Sequence, residues 1–208
     1  EDGTRPIDQL QGIKMAEWDK AKLDFKKIEE SRLRGVARFR KNVTEYLAQL
    51  ETMIPKGANV LFVHTMAGGV PRAKIMMPTM NRIFKGTGDR HESSEKLMKS
   101  DLGVLAATSF NEVTAETFRH LLELSRGLRE RLAGEGGSTR YVAYGYHGTE
   151  VLVKGEYTWQ TYTPYFQGWA KMALEKIAID AFQTGVSATV YNCPEILTNS
   201  SSVFSGVE

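Results

Sequence analysis

Tyr162 and Lys171 are a pair of side chains whose types and spacing could support acid–base chemistry. Thr163 and Pro164 suit the N-cap and first position of a helix, so Lys171 would lie two turns into it. Tyr162, just outside this helix, could then fold back toward the lysine. Because an ammonium group favours the anionic form of a phenol, the tyrosine could donate a proton or a strong hydrogen bond to a developing oxyanion. The competing interpretation, which spacing alone favours, is an aromatic cluster packed under a loop.

Tyr146 and His64 end predicted strands and are further candidates. The hydroxyl of Tyr146 would face the same cleft as Tyr162, although strand-end packing is the simpler explanation when this residue is taken alone. His64 could act as a ligand or a base, but a histidine satisfied by backbone hydrogen bonds is the more common case. The histidines, at positions 64, 91, 120 and 147, do not have the spacing of metal ligands, so we predict no metal site.

These residues would be positioned by strands that alternate with helices. Continuous apolar runs rich in β-branched and aromatic residues predict the strands, and three- and four-residue spacing of apolar side chains predicts the helices. The predicted strands are 58–64, 139–146 and 185–192, and the predicted helices are 23–54, 101–132 and 164–184. The first helix could be a single piece or two pieces that break at Gly35.

This alternation predicts an α/β fold, a Rossmann-like parallel sheet with right-handed crossovers and helices on both faces. The apolar run at 58–64 fits a strand that is buried on both faces. In such sheets ligands bind at the carboxyl ends of the strands, which here are followed by HTMAGG (64–69), YHGTE (146–150) and CPEILT (193–198).

Composition excludes several classes of protein. The 27 basic and 25 acidic residues leave a net charge of +2, which gives no reason to expect nucleic acid or an anionic membrane as partner. No apolar run is long enough to span a membrane, and the single cysteine, Cys193, cannot form an internal disulfide. We therefore expect a cytoplasmic protein. Residues 1–22 are polar and predict a loosely structured N-terminal arm, with a single folded domain over 23–208.

Three segments, in the right order, resemble the latter half of the short-chain dehydrogenase/reductase superfamily, and within it the enoyl-thioester reductases. VLFVHTMA (60–67) is similar to the family's fourth strand, YVAYGYHGTE (141–150) to its fifth, and QGWAKMALE (167–175) to its helix Met-Gly-x-Ala-Lys-x-x-Leu-Glu. The chain resembles the FabV-type trans-2-enoyl reductases most, because Tyr162 and Lys171 have their Tyr-x8-Lys spacing. It departs from them by the extra stretch VLVKGEY (151–157), and residues 70–138 match no family segment.

The resemblance implies that NADH or NADPH gives a hydride to the β-carbon of an enoyl thioester carried by coenzyme A or acyl carrier protein. Tyr162 would stabilise or protonate the enolate, Lys171 would hold the nicotinamide ribose, and Tyr146 would line the substrate side. The implied cofactor contacts are His64, Thr65, Met66, Ala67, Lys171, Pro194, Ile196 and Thr198.

The same resemblance implies that the glycine-rich dinucleotide loop should precede the first helix, yet residues 1–22 are too short and too polar to contain it. We therefore expect the N-terminal half of the fold to be missing, so that an upstream segment or another chain completes it, or cofactor binding has been lost. A non-catalytic reductase-like subunit of a larger assembly is thus the alternative function, and a carbonyl reductase is a third. We also expect a homo-oligomer.

Overall fold

The computed structural model describes residues 5–69, 73–76, 78–79, 90–145, 150–153, 156–159 and 166–193. The helices in these ranges are α1 (Pro6–Gln9), α2 (Phe25–Met53), α3 (Arg90–Lys99), α4 (Asp101–Asn111), α5 (Thr117–Leu124), α6 (Arg126–Gly134) and α7 (Phe166–Gln183), with a 3-10 helix at Met15–Lys20 and a π-helical segment at Glu112–Glu116. The strands are β1 (Asn59–His64), β2 (Ser138–Gly145), β3 (Glu150–Val153), β4 (Glu156–Trp159) and β5 (Ala188–Asn192).

Strands β1, β2 and β5 form a parallel sheet in the order β1-β2-β5. Their register aligns Phe62 with Tyr141, and Tyr141 with Ala188, in one row across the sheet. The three predicted strands and the α/β, Rossmann-like fold class are therefore confirmed. Strands β3 and β4 form a separate antiparallel hairpin, which the sequence patterns did not predict.

One face of the sheet, called the covered face below, packs against helices α2, α5, α6 and α7. Phe62, Tyr141 and Ala143 point to this face and are 8%, 1% and 0% exposed. They belong to one core cluster with helical side chains such as Phe118 and Leu174. The apolar stripes of the helices thus meet every second residue of the strands, as expected for side chains that alternate across a sheet.

The opposite face, called the bare face below, carries Leu61, Val63, Val142, Tyr144 and Tyr191. Leu61 is 58% exposed and Tyr191 is 56% exposed. The expectation that β1 is buried on both faces is therefore wrong for the described part of the chain, whose helices cover one face only. A continuous apolar run shows that both faces of a strand suit burial, but it does not show which polypeptide supplies the cover.

Helix α2 runs unbroken through Gly35, so the alternative of two helices is wrong. The Asp24 side chain caps it by accepting hydrogen bonds from the backbone N–H groups of Lys26 and Lys27, at 3.1 and 3.2 Å. A glycine in a helix costs about 1 kcal/mol relative to alanine, which the capping and the packing of 29 residues offset. Neither α2 nor any other described helix is long and apolar enough to cross a membrane.

The N-terminal stretch is packed onto the domain, in contrast to the loose arm that its polar composition predicts. Leu10 is 3% exposed and contributes to a second core cluster, against which Met15 and Trp18 also pack. The Asp19 carboxylate pairs with the Lys96 ammonium at 2.6 Å. A few apolar side chains within a polar stretch therefore hold it in place.

Candidate active site

Lys171 lies on α7 at the carboxyl end of the sheet, where its ammonium donates a hydrogen bond to the backbone carbonyl of Tyr144 near the end of β2. Lys171 as a whole residue is only 7% exposed. Burial lowers the pKa of Lys171, because water no longer solvates the ammonium. The arrangement fixes a buried cation at the strand end, with two further N–H donors for other partners.

His64 ends β1 on the covered face and is 6% exposed. The Thr117 hydroxyl donates its single proton to the carbonyl of Val113 at 2.7 Å, so it can only accept from the imidazole. His64 Nε2, 2.8 Å from the Thr117 oxygen, must therefore carry a proton and donate it. Burial, reinforced by the positive charge of Lys171, lowers the pKa of His64 to about 4. The ring is accordingly neutral at pH 7.

The second ring nitrogen of His64 is consequently an unprotonated acceptor. His64 Nδ1 is buried and has no hydrogen-bond partner among the residues that the structure describes. An unsatisfied buried acceptor costs about 1–3 kcal/mol, so this nitrogen is suited to receive a donor from a ligand or from polypeptide outside the described ranges.

The loop after β1 is held by three hydrogen bonds that the sequence reasoning missed. The Thr114 hydroxyl, in the π-helical segment, donates to the carbonyl of Gly68 at 3.0 Å. The Gly68 N–H donates to Gln167 Oε1 at 3.1 Å, and Gln167 Nε2 reaches the Thr114 oxygen at 3.4 Å. Thr114 lies in the π-helical segment, and single π-helical turns within α-helices recur at functional sites. No sequence pattern used above identifies such a segment.

Gly69 shows why the loop needs glycine at this point. Its φ is +121°, and a Cβ there would lie 2.2 Å from the backbone oxygen of Ser109. No side chain fits so close to α4. Thr65, Met66 and Ala67, which precede the two glycines, are exposed at the carboxyl end of the sheet. Gly69 therefore lets the loop pack against α4, while residues 65–67 remain accessible to a ligand.

The structure thus brings His64, Lys171 and the exposed loop of Thr65, Met66 and Ala67 to one end of the sheet. The remaining predicted site residues lie outside the described residues: Tyr146, Tyr162, Pro194, Ile196 and Thr198. The tyrosine–lysine geometry and the contacts after β5 consequently stay predictions. Among the described residues, no three His, Cys, Asp or Glu side chains are placed to bind a metal ion.

The described residues fit the nicotinamide half of a dinucleotide better than its pyrophosphate. Lys171 has N–H donors that could bind ribose hydroxyls, and Thr65, Met66 and Ala67 are exposed at the same end of the sheet. In contrast, the part of the chain with described coordinates contains no glycine-rich turn between a strand and a helix of the kind that cradles a pyrophosphate.

An apolar cavity of about 550 Å³ adjoins this loop between α2 and α4. Val36 and Phe39 from α2, Leu105 from α4 and Met66 from the loop form part of its wall. Arg32, also at the wall, already pairs with Glu112 at 2.7 Å. The interior of the cavity is therefore apolar, and the charge of Arg32 at its wall is compensated by the Glu112 carboxylate.

Comparison with known proteins adds the family context. The family model described as enoyl-acyl carrier protein reductase FabMG matches residues 1–208. The apo structure of FabMG, a novel type of enoyl-acyl carrier protein reductase, is 53% identical to this chain, with a TM-score of 0.87; the match covers 97% of this chain and 46% of that one. The NADH-bound structure of FabMG is 46% identical, with a TM-score of 0.73; the match covers 97% of this chain and 48% of that one. This chain thus spans about half the length of the structures it matches. The search of curated proteins returned no match.

Proposed function

Because the chain belongs to the FabMG family of enoyl-acyl carrier protein reductases, we propose that it forms the substrate-reducing half of an NADH-dependent enoyl-thioester reductase. The observation that carries this proposal is the buried Lys171 ammonium, held by the Tyr144 carbonyl at the carboxyl end of a parallel sheet. Ligands of open α/β sheets bind at this edge, and a dry, anchored cation there can stabilise negative charge that develops on a substrate.

The cofactor assignment rests on a relative, the NADH-bound FabMG structure. When bound, NADH would supply the hydride for the β-carbon of the double bond. Lys171 would then orient the nicotinamide ribose through its remaining N–H donors, and the exposed loop at 65–67 would border the same end of the sheet. NADPH is the alternative cofactor, since the residue that would select a 2′-phosphate is expected in the other half of the fold.

Tyr162 is proposed as the residue that stabilises the enolate oxygen or gives it a proton. Reduction at the β-carbon moves the electron pair of the double bond toward the thioester carbonyl, so an oxyanion develops there and needs a donor. The buried Lys171 charge would favour a phenol with increased acidity. Tyr146 would line the substrate side, and Pro194, Ile196 and Thr198 would border the carboxamide. The Tyr-x8-Lys spacing supports the narrower likeness to FabV-type enzymes.

The substrate is proposed to be an enoyl group on acyl carrier protein, as the family's name implies, with a coenzyme A thioester as the alternative carrier. We also propose that an upstream segment or another chain completes the fold and that the protein assembles into a homo-oligomer. The alternative function is a non-catalytic reductase-like subunit of a larger assembly, which would keep the sheet but not the reaction.

Substitutions of the proposed pair test the function in the polypeptide with a complete dinucleotide half. Tyr162→Phe should reduce NADH-dependent crotonyl-thioester reduction at least about a hundredfold, the usual contribution of a general acid, while NADH still binds. Lys171→Met should also weaken NADH binding, measured by titration of the nucleotide's fluorescence. Turnover near that of the unaltered protein in Tyr162→Phe would overturn the role of the tyrosine, and absence of any reduction by the unaltered protein would favour the non-catalytic subunit.

A further inference from the structure

The cavity between α2 and α4 has the size and the composition of a ligand pocket. Its volume is about 550 Å³, and small-molecule pockets occupy about 300–1,000 Å³. The apolar residues of its wall come from α2, α4 and the loop after β1: Ile28, Val36, Phe39, Leu105 and Met66. Such a wall favours an apolar ligand over water, because water there would find few hydrogen-bond partners.

Gly35 on α2 borders free space in this cavity. It lies on the same side of the helix as the lining residues Ile28 and Phe39, because residues four and seven positions apart share a helix face. A Cβ at position 35 would meet no atom within 4 Å, so close packing does not explain a glycine where other residues favour a helix more. The space beside Gly35 is therefore part of the cavity, and a larger residue would fill it.

One cation at the cavity wall has no acidic partner in the described part of the chain. Arg32 pairs with Glu112 at 2.7 Å, and Arg5 pairs with Asp8 at 2.9 Å. Arg38 also lines the cavity, but it is exposed and forms no ion pair with any residue that the structure describes. Its guanidinium is therefore available to an anionic group, and it can bind a carboxylate through two parallel hydrogen bonds.

We propose that this cavity binds one long-chain carboxylate, with the aliphatic chain against the apolar wall and the carboxylate group at Arg38. A small anion would leave the apolar wall in contact with water, and a neutral lipid would leave the guanidinium without a partner. A ligand with both parts satisfies the two features at once.

This site is separate from the predicted catalytic and cofactor residues but lies next to them. Gly35 and Arg38 belong to neither set, and binding requires neither NADH nor a thioester. Thr117, which accepts the hydrogen bond of His64, also lines the cavity, as does Met66. A bound chain would therefore contact the loop after β1 and restrict the movement of Met66.

The test of the ligand class is a calorimetric titration of the 208-residue chain with decanoate below its micelle concentration. We expect one decanoate per chain and an affinity that rises about fourfold for each methylene group added from octanoate to decanoate. Arg38→Gln should raise the dissociation constant of decanoate about tenfold, the usual contribution of a hydrogen bond to a charged group, and leave that of decanol unchanged. Arg126→Gln is the matched control, because it removes the same charge on α6, outside the cavity.

A second substitution tests the place of the chain in the cavity. Gly35→Leu should raise the dissociation constants of decanoate and decanol at least about tenfold, because leucine takes the volume of several methylene groups of the ligand. Gly127→Leu is its control, because Gly127 is also a helical glycine beside open space but lies on α6; its effect should be less than about twofold. If Gly35→Leu does not fold, Val36→Phe narrows the cavity from the neighbouring position.

The results that would overturn the proposal are distinct from those that concern the reductase activity. Several decanoate molecules per chain, equal affinities for decanoate and decanol, or equal effects of a cavity substitution and its control would each refute the site. Because the titration contains neither NADH nor a thioester, these results leave the proposed function untouched. Loss of the activity expected of the unaltered protein would likewise leave the carboxylate site untouched.

Discussion

Replacing His64 with glutamine should remove about 2.5 kcal/mol of the stability that this chain loses between pH 7.5 and pH 4.5. Folding lowers the pKa of His64 from 6.5 to about 4, first because the ring is buried and second because Lys171 is positively charged. Between these two values the unfolded chain binds a proton that the folded chain excludes. The contribution of His64 to stability is therefore full above pH 6.5 and is lost progressively as the pH falls toward 4.

The expected size follows from these two pKa values. Between pH 7.5 and pH 4.5 the unfolded imidazole becomes almost fully protonated, whereas the buried one is protonated only in part. At about 1.4 kcal/mol per pKa unit, the difference amounts to about 2.5 kcal/mol of unfolding free energy. Glutamine at position 64 can still donate an N–H to the Thr117 oxygen but carries no titrating group in this pH range.

Urea denaturation at pH 7.5 and 4.5 measures the effect for the unaltered chain, His64→Gln and Phe62→Leu. Phe62, 8% exposed on the same strand, is the control, because its replacement removes packing but no ionisable group. Phe62→Leu should be destabilised at both pH values and keep the full acid-dependent loss, whereas His64→Gln should lose about 2.5 kcal/mol less on acidification. If His64→Gln shows the same loss as the unaltered chain, His64 is not the buried neutral imidazole inferred from its geometry.

Two further predictions concern the loop after β1. Gly69→Ala should lower the free energy of unfolding by about 2–4 kcal/mol in urea denaturation, because a Cβ would meet the backbone of α4 at a positive φ. The control Gly127→Ala, in open space on α6, should be neutral or stabilising by up to about 1 kcal/mol. Equal effects of the two substitutions would contradict the close approach of Gly69 to α4. Thr114→Val should lower the free energy of unfolding by about 1–3 kcal/mol, because the Gly68 carbonyl and the Gln167 amide lose a partner. It should also speed hydrogen exchange of the Gly68 amide. An unchanged exchange rate would show that the three hydrogen bonds do not hold the loop.

The strands and their order along the chain could be predicted because each is a compact apolar run. The run at 58–64 begins and ends within one residue of β1, Asn59–His64, and the alternation with helices was sufficient to predict a parallel sheet. The strands depend on local pattern, which a single sequence contains. The place of Lys171 in a cofactor site was instead implied by the family resemblance of QGWAKMALE (167–175), and the structure puts its ammonium at the carboxyl end of the sheet.

The details that escaped prediction depend on distant partners. Whether Gly35 breaks a helix is decided by the packing along α2, and whether residues 1–22 are loose is decided by a few contacts such as that of Leu10 with the core. The hairpin of β3 and β4 was overlooked because its stretch was treated as an insertion, although VLVKGEYTW (151–159) has β-branched and aromatic residues on both sides of a Lys-Gly pair. The bond from His64 to Thr117 joins residues 53 positions apart, and no spacing rule connects them.

The π-helical segment makes the length of the chain between residues 111 and 117 a determinant of the site. Thr114 within it reaches the loop after β1, while Thr117 just beyond it reaches His64. The π-helical turn already contains about one residue more than an α-helical turn, so one further inserted residue would rotate α5 by about 100° relative to α4. Thr117 would then leave His64, and Phe118 would leave the core. Insertions in this short segment should therefore be tolerated far less than insertions in a surface loop.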